Sequence, residues 1–241
     1  MDHFKARLCL ALGAGVAVAG AGILLAGPPV WLVDRVAAAF PGCLYRSRTA
    51  ERLVALTLDD GPDPATTPLI LAELRRHGAS ATFFLIGDRV AGNETLLRRL
   101  VDQGHEIGNH FMRDRPAILL DEEELARDLD LSHGLLARHA PVRWARPGSG
   151  WYSSATVAAM SRKGYACAMG SVYPYDATIP SSGFASRYIL RNVRPGAVIV
   201  LHDGGARGRR TARTLGTVLP ELRRRGYRAV TLSELVPAGP R

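Results

Sequence analysis

Leu56-Thr57-Leu58-Asp59-Asp60-Gly61-Pro62-Asp63 decides how this 241-residue chain is read. The apolar, β-prone run from Leu53 to Leu58 predicts a buried strand. It ends in two carboxylates and then Gly61-Pro62, a pair that breaks a strand. Successive strand side chains point to opposite faces. Two adjacent acids can therefore serve one site only if the backbone turns between them or just after them. Two uncompensated carboxylates at a strand end are costly. A metal with a proton, or a metal with an arginine, would relieve that cost. Taken alone, such a tetrapeptide is more commonly a capped loop, so its meaning depends on the polar residues further along the chain.

Beyond this segment, strands and helices alternate. Strand Val54–Leu58 leads to a helix over Pro68–His77, with Thr66 or Thr67 as N-cap and Gly78 as its stop. Strand Ala81–Ile86, helix Glu94–Gln103 and a short strand over His105–Gly108 come next. Asp121 to Glu124 load acid at the start of a helix running to about His139, the end of the helix dipole that favours negative charge. Strand Arg143–Ala145, helix Ser153–Lys163, strand Ala166–Met169 and helix Ser182–Asn192 precede strand Ala197–Leu201, helix Arg209–Arg225 and strand Tyr227–Leu232. This alternation predicts a parallel α/β architecture of about seven strands, an incomplete or distorted barrel rather than an open sheet. In such folds, sites gather at the carboxyl ends of strands.

Residues 8 to 26 are apolar and uncharged, preceded by Lys5 and Arg7 and followed by Pro28-Pro29. At about 1.5 Å per residue they come close to the roughly 30 Å hydrocarbon core of a bilayer. The domain plan is therefore a signal anchor over 1–33, a linker over 34–52, one catalytic domain over 53–236 and a tail over 237–241. The expected location is membrane-anchored, with the catalytic domain outside the cytoplasm; cleavage of the segment and a cytosolic orientation are the alternatives. Of 31 basic residues only Lys5 and Lys163 are lysine, and the formal charge is +9. The arginines are scattered and lack aromatic interleaving, so no nucleic-acid partner is expected. Cys43 and Cys167 can pair only if the fold brings them close. Without a Cys-x-x-Cys, thiolate zinc or redox chemistry is not indicated.

The strand-end rule collects a constellation. Asp59 and Asp60 follow the first strand. His110 follows Ile107, with Asp114 four residues on. Arg146 ends its strand, Asp176 lies in the loop after Met169, and His202 follows Leu201. All could converge on one mouth. If the segment makes a helical turn, His110 and Asp114 face the same way. With one of the paired carboxylates they supply three N and O donors, the form of a catalytic zinc-type site with water in the fourth position.

These blocks resemble the polysaccharide deacetylases of the NodB-homology type, carbohydrate esterase family 4, over roughly residues 53 to 236. Leu58 to Pro62 is similar to the first motif, Gly104 to His110 leads into the second, and Arg146-Pro147-Gly148-Ser149-Gly150 is similar to the third. Asp176 stands at the fourth, and Val200-Leu201-His202 at the fifth. The resemblance implies a distorted (β/α) barrel that removes N-acetyl groups from amino sugars by a metal-activated water. Asp59 would be the base, paired with Arg146. His202 would be the acid, oriented by Asp176. Asp60, His110 and Asp114 would bind a divalent metal of zinc type, with cobalt and manganese as alternatives. Gly148, the Ser149 N–H, Val200 and Tyr175 would meet the substrate. Asp114 stands where the family has histidine, Gly148-Ser149 replace proline and tyrosine, and the tryptophan usual near the fourth motif is missing. Within the same chemistry, a lipid-linked amino sugar could be the substrate. The rival from another class is an inactive glycan-binding relic. His105 is read as a packing residue, and Arg207, Arg209, Arg210 and Arg213 as either an exposed helix face or a surface for an anionic substrate or lipid headgroup.

Overall fold

A computed structural model describes residues 30–39, 41–150 and 152–236. Leu56 to Gly61 form the carboxyl-terminal part of β2, Leu53–Gly61, which is buried along nearly its whole length. Burial on both faces is why it reads as a continuous apolar run rather than an alternating one. Leu56 and Leu58 turn to one side, into the main core with Ile70, Leu71 and Leu74 of α2 (Thr67–His77) and Leu215, Val218 and Leu219 of α7 (Gly205–Arg224). Ala55 turns to the other side. There it joins Phe84 of β3 (Thr82–Leu85), Trp144 of β5 (Trp144–Ala145), Ala168 of β6 (Ala166–Ala168), Val198 of β7 (Val198–His202) and Val230 of β8 (Arg228–Val230). One residue from each of six strands meeting in one cluster is the inner layer of a curled sheet.

The sheet has eight strands in the order β1-β6-β5-β4-β3-β2-β7, with β8 also pairing β2, where β1 is Cys43–Leu44 and β4 is Glu106–Asn109. Every ladder is parallel. Isolated bridges, Arg46 with Ala197 and Val172 with Ile199, tie the region beside β1 to β7. Single bridges in place of a full strand pair leave the closure incomplete.

The helical signals act as expected. Asp121 and Glu124 form a reciprocal capping box at the start of α4, Glu122–Leu136. Gly78 closes α2 at φ 58, where a side chain would be strained. Thr66 is the N-cap residue of α2, but its hydroxyl donates to Asp203 at 2.6 Å instead of serving the helix. The helices α3 (Glu94–Asp102), α5 (Ser154–Arg162) and α6 (Ser182–Asn192) lie within one residue of their expected limits.

Three expectations need correction. The segment read as a linker contains most of helix α1, Val30–Ala39, and all of β1, which pairs with β6 through Cys43↔Cys167 and Leu44↔Ala168. That raises the strand count from about seven to eight. The last strand stops at Val230, and Leu232–Leu235 forms α8 behind a Thr231–Glu234 capping box. Helix α7 starts four residues before Arg209, immediately after Gly204 at φ 94. Among the described residues no helix is long and apolar enough to cross a membrane. Of the expected anchor over 1–33, residues 1–29 lie outside the described residues.

Candidate active site

The β2–β7 register places Asp59 directly beside His202. Between Asp59 and Gly61 the β2–β3 register shifts, and Asp60 takes φ 71, a left-handed conformation uncommon outside glycine. This is the turn that two adjacent acids require. Both carboxylates are buried, at 5% exposure each, yet they face different partners.

Asp59 meets Arg146, which follows β5 and is 2% exposed. The Arg146 Nη1 donates to Asp59 Oδ1 at 2.6 Å and to Thr57 Oγ1 at 2.8 Å. Its Nε donates to the Ala168 carbonyl at 2.8 Å and its Nη2 to that of Met169 at 2.5 Å. The guanidinium lies 4.1 Å from the centre of the Phe84 ring. A planar fork of donors with aromatic stacking is a use that lysine cannot reproduce.

His202 meets Asp176. The Asp176 carboxylate lies 3.0 and 3.1 Å from Nδ1 and also accepts the His202 backbone N–H at 2.9 Å. Arg210 in turn donates to the Asp176 carbonyl at 3.2 Å. Burial works against charge on the His202 ring, but the Asp176 bond and charge, with Asp59 and Asp60, outweigh it and push the pKa up to about 9. At neutral pH the ring is an imidazolium with a proton to give, and it retains partial exposure at 23%. Arg146 and Asp176 thus each hold one of the two neighbouring base and acid candidates.

His110, following β4, donates from Nδ1 to the Arg146 carbonyl at 2.8 Å and turns Nε2 toward Asp60 Oδ1 at 3.4 Å. Burial disfavours its charged form, yet Asp60 and Asp59 raise its pKa. Asp60 is likewise opposed by burial but held down at about 2 by His110, His202 and Arg207.

Asp114 does not join them. Phe111 takes φ 65 and residues 112–115 form bends, so the helical turn that would align positions i and i+4 is absent. Its carboxylate is 45% exposed and lies 3.8 Å from Arg89. No group of three His, Cys, Asp or Glu among the described residues is placed to hold a metal ion. The second oxygen of Asp60 instead faces Arg207 Nη1 at 3.0 Å. The donor set as it stands therefore does not fit a three-ligand metal site: two donors are assembled, and a guanidinium occupies the free side of one.

The expected substrate contacts divide. Val200 is buried on β7 beside Thr57, on the side that carries Asp59 and His202. Ser149 is exposed at φ 58, and Gly148 is buried where an added Cβ would lie 2.5 Å from the Arg115 carbonyl. Tyr175 packs edge-on against Tyr188 at 5.5 Å, leans on the main core and is half-buried. Three residues not assigned to the site belong to it. Thr57 braces Arg146, Arg89 donates to the Asp60 carbonyl, and Arg207 binds the Asp60 carboxylate. Arg89 and Arg207 both line a cleft of about 570 Å³ with Pro62, Asp63, Asp88 and Gly204. Asp203, next to His202, plays another part. It is fully buried and accepts from the hydroxyls of Thr66 and Thr67, tying the end of β7 to the start of α2.

A buried carboxylate–arginine pair and a partly exposed histidine held by a buried carboxylate, side by side at the carboxyl end of a curled parallel sheet, define a hydrolase-like centre. The profile of the polysaccharide deacetylase family matches residues 46–168, and this chain belongs to that family. It is 36% identical to a peptidoglycan-N-acetylglucosamine deacetylase of Bacillus cereus over 194 residues, covering 77% of this chain and 89% of the relative. It is 35% identical to a chitooligosaccharide deacetylase of a Bradyrhizobium species over 208 residues, covering 79% and 94%. Among solved structures, the peptidoglycan N-acetylglucosamine deacetylase Bc1960 superposes with a TM-score of 0.79 at 27% identity, covering 87% of this chain and 99% of that one. A family 4 acetyl xylan esterase of Clostridium thermocellum, solved with a cobalt ion, gives 0.70 at 30% identity, covering 76% and 89%. A family 4 pseudoenzyme of Bacillus anthracis gives 0.74 at 26% identity, covering 81% and 69%.

Proposed function

We propose that this chain removes N-acetyl groups from the amino sugars of a glycan of the peptidoglycan or chitooligosaccharide kind. The observation that carries the reading is the register pair Asp59↔His202, each member held by its own buried partner. Amide hydrolysis needs a base for the attacking water and a proton for the departing nitrogen. Asp59 takes the first proton, and Arg146 fixes where its carboxylate points. His202 delivers the second, already charged at neutral pH. The Ser149 N–H stabilises the oxyanion, and Val200 borders the space for the acetyl methyl. A divalent ion of zinc type, with Asp60 and His110 as donors, would supply an acidified water and a polarised carbonyl. Because Asp114 stands apart, no step is routed through that ion. The domain acts outside the cytoplasm, anchored by residues 8–26.

The test is acetate release from N-acetylglucosamine oligomers, peptidoglycan fragments and a lipid-linked N-acetylated amino sugar, with divalent metal supplied. Wild type releases acetate; Asp59→Asn and His202→Ala lose at least about a hundredfold, as loss of an acid or base does. Absence of release from all three substrates would sink the enzyme reading. The second reading, a glycan-binding relic, is favoured by the position of Asp114 and by Arg207 on Asp60. It expects saturable glycan binding without acyl release.

A further inference from the structure

Arg207 takes no part in the base or acid chemistry, yet its guanidinium makes an ion pair with a buried carboxylate at the centre of the site. It lies in the first turn of α7, and Nη1 is 3.0 Å from Asp60 Oδ2. The other Asp60 oxygen faces His110 Nε2 at 3.4 Å, so both oxygens are engaged. Arg89 donates to the Asp60 carbonyl and is itself 3.8 Å from Asp114. Asp114, the carboxylate that would have completed a metal shell, is thus beside Arg89, while a cation sits on the carboxylate that remains. A guanidinium cannot lose its proton in a protein. A divalent ion approaching Asp60 meets a permanent positive charge at ion-pair distance from a carboxylate whose side chain is 7% exposed.

We propose that Arg207 is an internal cation that competes with a divalent metal for the Asp60–His110 pair, so that metal enters only when Arg207 swings off Asp60. The swing has room. The Arg207 side chain is 35% exposed and borders the cleft of about 570 Å³ between the Pro62–Asp63 and Gly204–Gly205 turns. The competition makes Arg207 the residue that sets metal affinity in this chain. The inference rests on Asp60 and His110 as the metal donors, but it is read from affinity alone, so it can fail while acyl release stands, and the reverse.

The experiment is calorimetric titration of zinc into the metal-stripped full chain, repeated with cobalt by visible absorption. Wild type, Arg207→Ala, Arg207→Lys and the double variant Arg207→Ala/Asp60→Asn are compared. Arg207→Ala should bind at least about tenfold tighter than wild type, a shift of about 1.4 kcal/mol. Arg207→Lys, which keeps the charge, should stay within about threefold of wild type. The double variant should lose the gain. The proposal is overturned if Arg207→Ala binds no tighter than wild type, if Arg207→Lys tightens as much as alanine, or if the gain survives Asp60→Asn.

Discussion

Replacing Arg146 with methionine removes a guanidinium that serves four acceptors and stacks on Phe84. Methionine fills most of the volume but leaves Asp59, whose side chain is 7% exposed, as a buried carboxylate without its cation. Breaking a buried ion pair by removing one partner costs about 3–5 kcal/mol. The carbonyls of Ala168 and Met169 also lose a donor, at about 1 kcal/mol or more each. A loss of about 5–7 kcal/mol compares with a typical total stability of about 5–15 kcal/mol. Arg146→Met should therefore be folded but close to threshold in urea unfolding. Asp59→Asn removes the orphaned charge, so Arg146→Met/Asp59→Asn should be more stable than Arg146→Met alone. Because the carbonyls stay unmet, the rescue is partial, about 2 kcal/mol of coupling in the double-mutant cycle. A loss below about 1 kcal/mol, or a cycle that closes with no coupling, refutes the view that Arg146 is there to compensate Asp59.

The remaining predictions concern titration and thiols. Acetate release should fall as pH rises through about 9, because His202 must carry its proton, and Asp176→Asn should move that limb to lower pH; a limb unmoved by Asp176→Asn removes Asp176 from the tuning. The raised His202 pKa also stabilises the fold, fully below the unfolded value of 6.5 and decreasingly as pH rises through about 9. His105 acts in the opposite sense. Burial depresses its pKa from 6.5 to about 4, so its neutral form favours the fold above 6.5, and stability drains away as pH falls through that window by up to about 3 kcal/mol. His105→Phe, measured by urea unfolding at pH 7 and pH 4.5, should flatten that acid-side loss; an unchanged slope refutes the assignment. Cys43 and Cys167 are free and are register partners on adjacent strands, a spacing of about 4.8 Å that lies within the range a disulfide spans. In a Cys9→Ser background, diamide should remove two hydrogens from the intact mass and link the two peptides. A chain that stays fully reduced shows that the thiols point apart.

Local signals carried much of the fold into view. The run Leu53–Leu58, the acid-loaded start of α4 and the glycine after α2 all act through neighbours a few residues away, and the structure keeps each with small shifts of boundary. The two-residue strand β1 carries no such signal. It exists because β6 offers it partners more than a hundred residues further on. The start of α7 was obscured by Gly204-Gly205, a pair that by itself signals a turn; Gly204, at φ 94, ends one segment just where the next helix begins. That displacement of four residues brought Arg207 into the first helical turn and onto Asp60.

Short-range patterning was enough to show that two acids end a buried strand, that the architecture is parallel α/β, and which polar residues stand at strand ends. These features arise from periodicity and turn chemistry, which act over short stretches of chain. Which of those residues meet depends on long-range packing. Parallel register set Asp59 against His202, and the left-handed turn at Asp60 divided the acid pair between Arg146 and His110. It also separated Asp114 from His110, because spacing by four aligns side chains only on a helix, and Phe111 at φ 65 breaks that geometry. What filled the resulting gap was an arginine from the other end of the chain, held there by the packing of α7 against α2 and by charge attraction across space, neither of which can be read from local spacing.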